Sequence, residues 1–329
     1  MTMAATMKAA VVHHPGGPDV LRLETRPIPR PADSEVLIRV KAFGLNRSEL
    51  FTRQGRSPSV SFPRILGIEA VGVVADAPGG GFRKGDVVAT AMGGMGRRYD
   101  GGYAEFTRVP ATQVRKIETG LGWETLGAAP EMLQTAWGSL FTSLRLVKGE
   151  RLLVRGGTTS IGLAAAAIAK AHGAIVAATT RRPEREKPLR DYGADQVFID
   201  DGDIAARVRE VFPGGVDKVL ELVGATTLED SLRCAKPGGI VCMTGMVGDA
   251  WTLDDFSPMA AIPTAVGLTT YAGGAEDFIR APIQALLDHI EAGTLRIRIG
   301  RVFTLDRIVE AHRCMESNAA AGKIVVLTS

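Results

Sequence analysis

The chain has 329 residues, 45% of them hydrophobic and 23% charged, with 39 glycines and only 5% aromatics. That length allows two domains with their own cores, and the composition is that of a globular α/β protein. A formal net charge of +3, carried by Lys and Arg interleaved with Asp and Glu, is too weak for a nucleic-acid surface, and no apolar run reaches the length that spans a bilayer.

The first residues, MTMAATMKAAVVHHPGG, hold one Lys, no long apolar stretch and no cleavage-site pattern, so no signal peptide is expected. Short β-type runs follow: MKAAVVH, EVLIRVKAFGL, EAVGVVADA, GDVVATAM and YAEFTRVP. Turn chemistry separates them, in PGGP, RPIPRPAD, APGGGFRKGD and GGMGRRYDGG. From about Gly120 the texture changes, and helical segments alternate with compact apolar strands: RLLVRG, AIVAATT, QVFID, KVLELVG and GIVCMTG. That alternation predicts βαβ units and a parallel sheet. Past Ala265 come a helix (APIQALLDHIEAG), a strand (LRIRIGRVF), a second helix through His312 and a closing strand, GKIVVLT. The expected division is a β-rich domain of residues 1–124 and 266–329 around a doubly wound domain of residues 125–265.

The three cysteines, Cys234, Cys242 and Cys314, form no C-x-x-C pair, which argues against a zinc ribbon or redox dithiol and fits a reducing, cytoplasmic compartment. The five histidines show neither metal spacing nor a triad arrangement, and packing or surface roles are expected for them.

Between RLLV and LAAAAIAKAHGA lies GGTTSIG, a strand–turn–helix junction that departs from G-x-G-x-x-G by Thr159 at the middle glycine. Gly156 and Gly157 can make the bend, and Gly162 sits where the helix meets the sheet. Thr159 and Ser160 add hydroxyls at a helix N-terminus, where free N–H groups and the helix dipole favour phosphate. The motif by itself is also met by a plain βα turn with Ser160 as N-cap. The next strand ends in TTRRPERE, with Thr179, Thr180, Arg181 and Arg182 where an acid would grip the ribose of NAD. Arginine there pairs with a 2′-phosphate and an acid would repel one, so NADPH is the expected cofactor over NADH.

In KAFGLNRSELFTRQG, FPRILGIEAVGVV, KGDVV, GGYAEFTRVP, LQTAW, the glycine turn, KPGGIVCMTG and AGKIVVL, the chain resembles the medium-chain dehydrogenase/reductase superfamily nearly end to end. Within it the chain is most similar to the zinc-independent quinone oxidoreductase (zeta-crystallin-like) branch. The resemblance implies an α/β protein with a GroES-like β-rich catalytic domain, a Rossmann coenzyme domain with a doubly wound parallel sheet, and a homodimer joined through the Rossmann domains. It also implies a small-molecule substrate, a quinone or a similar conjugated carbonyl compound, with no nucleic-acid or membrane partner. The cofactor residues it implies are Asn46, Thr135, Gly157, Thr158, Thr159, Ser160, Ile161, Gly162, Thr180, Arg181, Arg185, Val223, Gly245 and Met246. Asn46 and Phe51 are placed in the substrate and nicotinamide pocket; for Asn46 a loop residue bonding its own backbone is the bland alternative. Many relatives carry a Tyr at the position of Phe51, so its hydroxyl is lost here, and Tyr99 and Tyr103 stand as candidate substitutes. Arg53 has two readings, a cofactor-phosphate contact or a brace for its loop.

The zinc-using alcohol dehydrogenases of the superfamily place metal ligands where this chain has Asn46, Ile68 and a residue near Glu131. Ile68 can donate nothing to zinc, and no metal site is expected. An acceptor that tolerates hydride without a Lewis acid is then required, such as a quinone, an enone, an enal or an enoyl compound. The expected reaction is NADPH-dependent quinone reduction. A double-bond reductase and a non-catalytic NADPH-binding protein are the alternatives.

Overall fold

A computed structural model describes residues 5–58 and 60–328. Two compact units emerge, one of Met1–Glu131, Gly273–Glu291 and Ile299–Ser329, the other of Met132–Ala272 and Ala292–Arg298. In chain order the first unit supplies β1 (Thr6–Val12), β2 (Leu21–Pro27), β3 (Glu35–Gly44), α1 (Arg47–Arg53), β4 (Arg64–Ile65), β5 (Glu69–Asp76), β6 (Val87–Ala91), β7 (Phe106–Pro110), β8 (Val114–Lys116) and α2 (Trp123–Ala128). The chain then runs through α3 (Pro130–Trp137), β9 (Arg151–Arg155), α4 (Ser160–Ala171), β10 (Ile175–Thr180), α5 (Glu186–Asp191), β11 (Gln196–Ile199), α6 (Ala205–Val211), β12 (Val216–Glu221), α7 (Ala225–Cys234), β13 (Ala235–Met243), α8 (Pro258–Ala261) and β14 (Gly267–Thr270). It closes with α9 (Ala275–Arg280), α10 (Ile283–Glu291), β15 (Ile299–Thr304), α11 (Ile308–Glu316) and β16 (Lys323–Leu327).

The first unit is built on two sheets, β2-β1-β4 and β15-β16-β3-β5-β6-β8, with β7 paired to β3. Strand β3 is buried along most of both faces because Val36, Leu37, Ile38, Val40, Ala42 and Phe43 occupy it, as a central strand requires. The second unit carries six parallel strands in the order β11-β10-β9-β12-β13-β14, which by sequence rank is the 3-2-1-4-5-6 of a doubly wound dinucleotide fold. This is the Rossmann architecture read from the alternating apolar runs. Among the described residues no helix is long and apolar enough to cross a membrane.

The units divide at different residues from the expected border. Strand β14 lies past residue 265 yet pairs in parallel with β13 from Ile240↔Gly267 to Met243↔Thr270. Its residues are mostly exposed, so it lacks the apolar run that marks the other strands. At the other border α2 packs on β3 and β16. A Cβ on Gly127 would stand 2.6 Å from the Ala42 Cβ and 2.9 Å from the Val325 Cγ1, so only glycine lets the helix come that close.

Arg53 is wholly buried and braces its unit. Its Nε donates to the Gly16 carbonyl at 3.0 Å, its Nη1 to His312 Nδ1 at 2.9 Å, and its Nη2 to Glu316. Because Arg53 can only donate, His312 accepts at Nδ1, carries its proton on Nε2 and donates to the Tyr103 hydroxyl at 3.1 Å. Of the two readings of Arg53, the structure supports the brace. Burial first, and the Arg53 charge second, push His312 down to about 3. The unfolded chain binds this proton below a pKa of about 6.5, whereas the native protein refuses it down to about 3. Stability from this group is therefore complete above neutrality and falls by about 1.4 kcal/mol per pH unit as acid is added, until the folded pKa is reached. Urea denaturation between pH 7 and 4.5 should show the parent's stability relative to His312→Gln falling with that slope; the difference isolates His312, because Glu49, raised to about 7, acts with the opposite sign in both proteins.

Candidate active site

Four strands of the parallel sheet end in loops that hold most of the expected cofactor residues. Gly156 leaves β9 with φ +78°, and its N–H donates to the Thr179 hydroxyl at 3.0 Å, tying the turn to the end of β10. A Cβ on Gly157 would lie 2.9 Å from the Ala178 Cβ, and one on Gly162 would lie 2.7 Å from the Gly157 carbonyl oxygen. The outer glycines thus serve close packing, as a dinucleotide turn needs. Thr159, in place of the middle glycine, is the N-cap of α4. Its hydroxyl accepts from the Gly162 N–H at 2.9 Å and donates to the Gly156 carbonyl at 2.9 Å. The cap is Thr159, not Ser160, and its side chain holds the loop closed rather than reaching outward. The hydroxyls of Thr158 and Ser160 have no partner among the described residues. The first helical N–H groups, at Ser160 and Ile161, have no intrahelical acceptor.

At the end of β10 the Thr180 hydroxyl closes a turn by accepting from the Arg182 N–H at 3.1 Å. Thr179 and Thr180 are buried, while Arg181 and Arg182 are exposed and Arg185 is half-buried. None of these three guanidinium groups has an ion-pair or hydrogen-bond partner among the described residues.

The loops after β12 and β13 are zipped together. Gly245 N–H donates to the Glu221 carbonyl at 3.2 Å, Val247 N–H to Leu222 at 3.2 Å and Gly248 N–H to Val223 at 2.9 Å. Gly224 has φ +108°, and a Cβ on it would meet the Gly245 carbonyl oxygen at 3.1 Å. Thr135 joins this group through Ser139, on the π-helical turn Gly138–Ser143 that continues α3. The Ser139 hydroxyl donates to the Thr135 carbonyl at 2.7 Å and meets the Thr244 hydroxyl at 2.9 Å.

Two buried acid clusters shape these loops. Arg155, the last residue of β9, donates from Nε and Nη2 to Asp200 at 2.9 Å each and from Nη1 to Asp230 at 2.6 Å. Burial opposes both charges, but the pairing outweighs it and holds Arg155 above and Asp200 below its ordinary range. Asp230 also accepts the Ile204 and Ala205 N–H groups that open α6. Glu221, at the end of β12, accepts from the Val223 and Gly224 N–H groups at 2.6 and 2.9 Å, and from the hydroxyls of Thr227 and Ser231. Burial raises Glu221 in spite of those donors.

Asn46 and Phe51 lie in the first unit. Asn46 caps α1, and its amide is engaged on every side: Nδ2 donates to Glu69 at 2.9 Å and Glu49 at 3.3 Å, while Oδ1 accepts from Lys323 Nζ at 2.5 Å. Two carboxylates on one end and an ammonium on the other fix which end is which. No amide hydrogen is left over for a substrate. Lys323, 1% exposed, also contacts Glu69 at 2.9 Å and Glu131 at 3.3 Å. Burial alone would lower the Lys323 pKa, yet Glu69 and Glu131 raise it, and the lysine is charged. Glu49, fully buried and next to Glu69, is pushed up to about 7. Phe51 is packed in the core of its unit.

Neither candidate substitute for the missing phenol at residue 51 is available. Tyr103 is wholly buried, stacks on Phe43 with ring centroids 4.7 Å apart and bonds His312. The Tyr99 hydroxyl donates to Gln113 at 2.7 Å, and burial pushes its pKa up to about 12.

Comparison with known proteins assigns this architecture to a family. Residues 32–119 match the family described as "Alcohol dehydrogenase GroES-like domain", and residues 192–326 match "Zinc-binding dehydrogenase". The chain is 31% identical to the quinone oxidoreductases of Pongo abelii and Homo sapiens, with 98% of each chain covered in both pairs. The chain belongs to the quinone oxidoreductase branch of the medium-chain dehydrogenase/reductase superfamily. A mycobacterial protein solved with NADPH superimposes with a TM-score of 0.87 at 29% identity, over 98% of this chain and 100% of that one. As a member of this branch the chain is an oxidoreductase that uses a nicotinamide cofactor and a small-molecule substrate.

The residues of the family's zinc site do not fit a metal in this member. The positions that the resemblance gives to metal ligands fall at Asn46, at Ile68 and near Glu131, and Asn46, Glu69 and Glu131 converge on the Lys323 ammonium. Among the described residues no three of His, Cys, Asp and Glu are placed to bind a metal ion. Lys323 was not singled out in the sequence, nor were Arg155, Glu221 and Asp230. The available signal was a charge inside an otherwise apolar strand: Arg in RLLVRGG, Glu in KVLELVG and Lys in GKIVVL.

Proposed function

We propose that the protein is an NADPH-dependent quinone oxidoreductase that works without zinc. The observation that carries NADPH is the end of β10. The position directly after β10 holds Arg181 rather than an acid, and Arg181 and Arg185 have no ion-pair partner among the described residues, so a 2′-phosphate would meet cations already free to bind it. The pyrophosphate is assigned to the turn Gly157–Gly162, where the Ser160 and Ile161 N–H groups and the hydroxyls of Thr158 and Ser160 can donate. Val223, Gly245, Met246 and Thr135 belong to one joined set of loops and are assigned to the nicotinamide half. Asn46 and Phe51 remain the residues that the resemblance assigns to the substrate and nicotinamide pocket. With its amide fully engaged, Asn46 holds its own segment in place and has no amide hydrogen to donate to an acceptor.

Bound there, the cofactor supplies a hydride. The absence of zinc is supported by Lys323, whose ammonium fills the place a cation would take and gives Asn46, Glu69 and Glu131 a partner already. Quinones suit such a site, because their oxygens and ring share the negative charge that a metal would otherwise stabilise.

We also read the protein as a cytoplasmic homodimer. Strand β14 is the edge of the parallel sheet, largely exposed, and Trp251, Met259 and Leu268 nearby in sequence are exposed apolar side chains. The three cysteines are free thiols, in keeping with a reducing compartment. Sedimentation equilibrium should give twice the chain mass; a monomer at micromolar concentration would contradict the dimer.

The function is tested by following NADPH and NADH oxidation with 1,4-quinones in the parent and in Arg181→Asp. The expected outcome is turnover with a preference for NADPH. The variant should bind NADPH about ten-fold or more weakly in a fluorescence titration, with NADH little changed. A parent that prefers NADH, or a variant that binds both cofactors as the parent does, would sink the assignment.

A further inference from the structure

Within the first unit, where the sheet β2-β1-β4 meets β7, lies an open cavity of about 390 Å³. Pro27 and Pro29 border it on one side, and Phe106, Thr107 and Arg108 of β7 on the other. Among the described strands β7 pairs only with β3, and neither proline has an N–H with which to pair an edge strand, so the seam stays open. None of the lining residues is among those assigned to the cofactor or the substrate.

The lining is strongly cationic. Arg26, Arg64, Arg98 and Arg108 stand around it against one carboxylate, Asp100. Asp100 is paired with Arg64 at 3.0 Å, while Arg26 and Arg108 reach out to Glu24 and Glu35 at 3.3 Å each. Arg98 is exposed and has neither an ion pair nor a hydrogen bond with any described residue. A cleft walled by one sign of charge focuses its field and gathers counter-ions.

Two buried atoms point to the same kind of ligand. The Nε of Arg64 and the hydroxyl of Thr107 are buried and have no hydrogen-bond partner, and Thr107 is only 2% exposed. Such groups are costly to leave unmade, and both can donate. An N–H and an O–H beside four guanidinium groups match a ligand rich in acceptors, a carboxylate or a phosphate. Met7, Ile65 and Phe106 give the same cavity an apolar wall, which suits a ligand with an apolar body rather than a bare inorganic ion.

We propose that this cavity binds a small organic anion, its carboxylate or phosphate held by Arg98, Arg64 and the Thr107 hydroxyl and its apolar body lying on Met7, Ile65 and Phe106. Arg26 and Arg108, already paired, add to the field that draws the anion in. Such a site lies wholly within the first unit and stands whether or not the protein reduces quinones.

Calorimetric titration with phenyl phosphate, benzoate and inorganic phosphate, with and without saturating NADPH, tests it. The parent should bind phenyl phosphate or benzoate with a dissociation constant below about 1 mM, equally well in both conditions. The tighter of the two identifies the anionic group, and inorganic phosphate should bind about ten-fold or more weakly for want of an apolar body. Arg98→Glu, at an exposed residue with no partner to lose, should fold as the parent does and weaken binding about ten-fold or more. Thr107→Val replaces the hydroxyl by a methyl. It should weaken binding about five-fold while the melting temperature holds or rises, because the free protein loses no hydrogen bond. No binding by the parent at about 1 mM, binding that NADPH displaces, or inorganic phosphate bound as tightly as phenyl phosphate would overturn the proposal. So would unchanged affinity in Arg98→Glu or Thr107→Val.

Discussion

The contact of the Lys323 ammonium with Glu69, Glu131 and Asn46 is the constraint on which the first unit's chemistry depends. An ammonium out of water is costly unless every proton finds an acceptor, and here three acceptors surround it. The cluster joins the start of β16, the start of β5, the first turn of α3 and the cap of α1, four segments far apart in sequence. Gly44 makes room for it, since a Cβ there would lie 2.3 Å from the Lys323 Cε and 2.4 Å from Glu69 Oε1. In this chain the region is organised around a lysine. The cluster limits the chemistry on offer, because a buried, fully bonded ammonium organises its neighbours but cannot bind a substrate oxygen.

The second unit follows the same logic. Arg155 is surrounded by Asp200 and Asp230, and Glu221 by backbone N–H groups and hydroxyls, so the ends of β9, β11 and β12 are held by buried polar contacts. Such networks cost more than they return if one member is missing, and when complete they fix a single arrangement. The arrangement fixed is the set of loops at the carboxyl ends of the parallel strands, where dinucleotides bind in this architecture. Thr159 belongs to the same scheme. The residue that looked like a defect in the glycine fingerprint caps α4 and closes the turn on itself, leaving the flanking Thr158 and Ser160 hydroxyls without a partner among the described residues.

Much of the fold was legible in the sequence because apolar runs of strand length alternate with helical periods, and those periods follow from burial. The border at residue 265 was missed because β14 is an exposed edge strand with no apolar run. The glycine turn after β9 and the arginines after β10 stood out in the sequence because glycines at a strand–helix junction and charges at a strand end can be read without knowing the tertiary contacts. The buried clusters did not. A lone Arg, Glu or Lys in an apolar strand shows that a partner must exist, but Asp200, Asp230 and Glu131 are distant in sequence and only folding brings them into contact.

The most direct measurement is quinone-dependent NADPH oxidation by the purified protein before and after exhaustive chelation, with bound metal quantified on the same samples. If the Lys323 cluster stands where a metal would, turnover should be unchanged and zinc should be far below one atom per chain. Activity that chelation abolishes and that added zinc restores would contradict it.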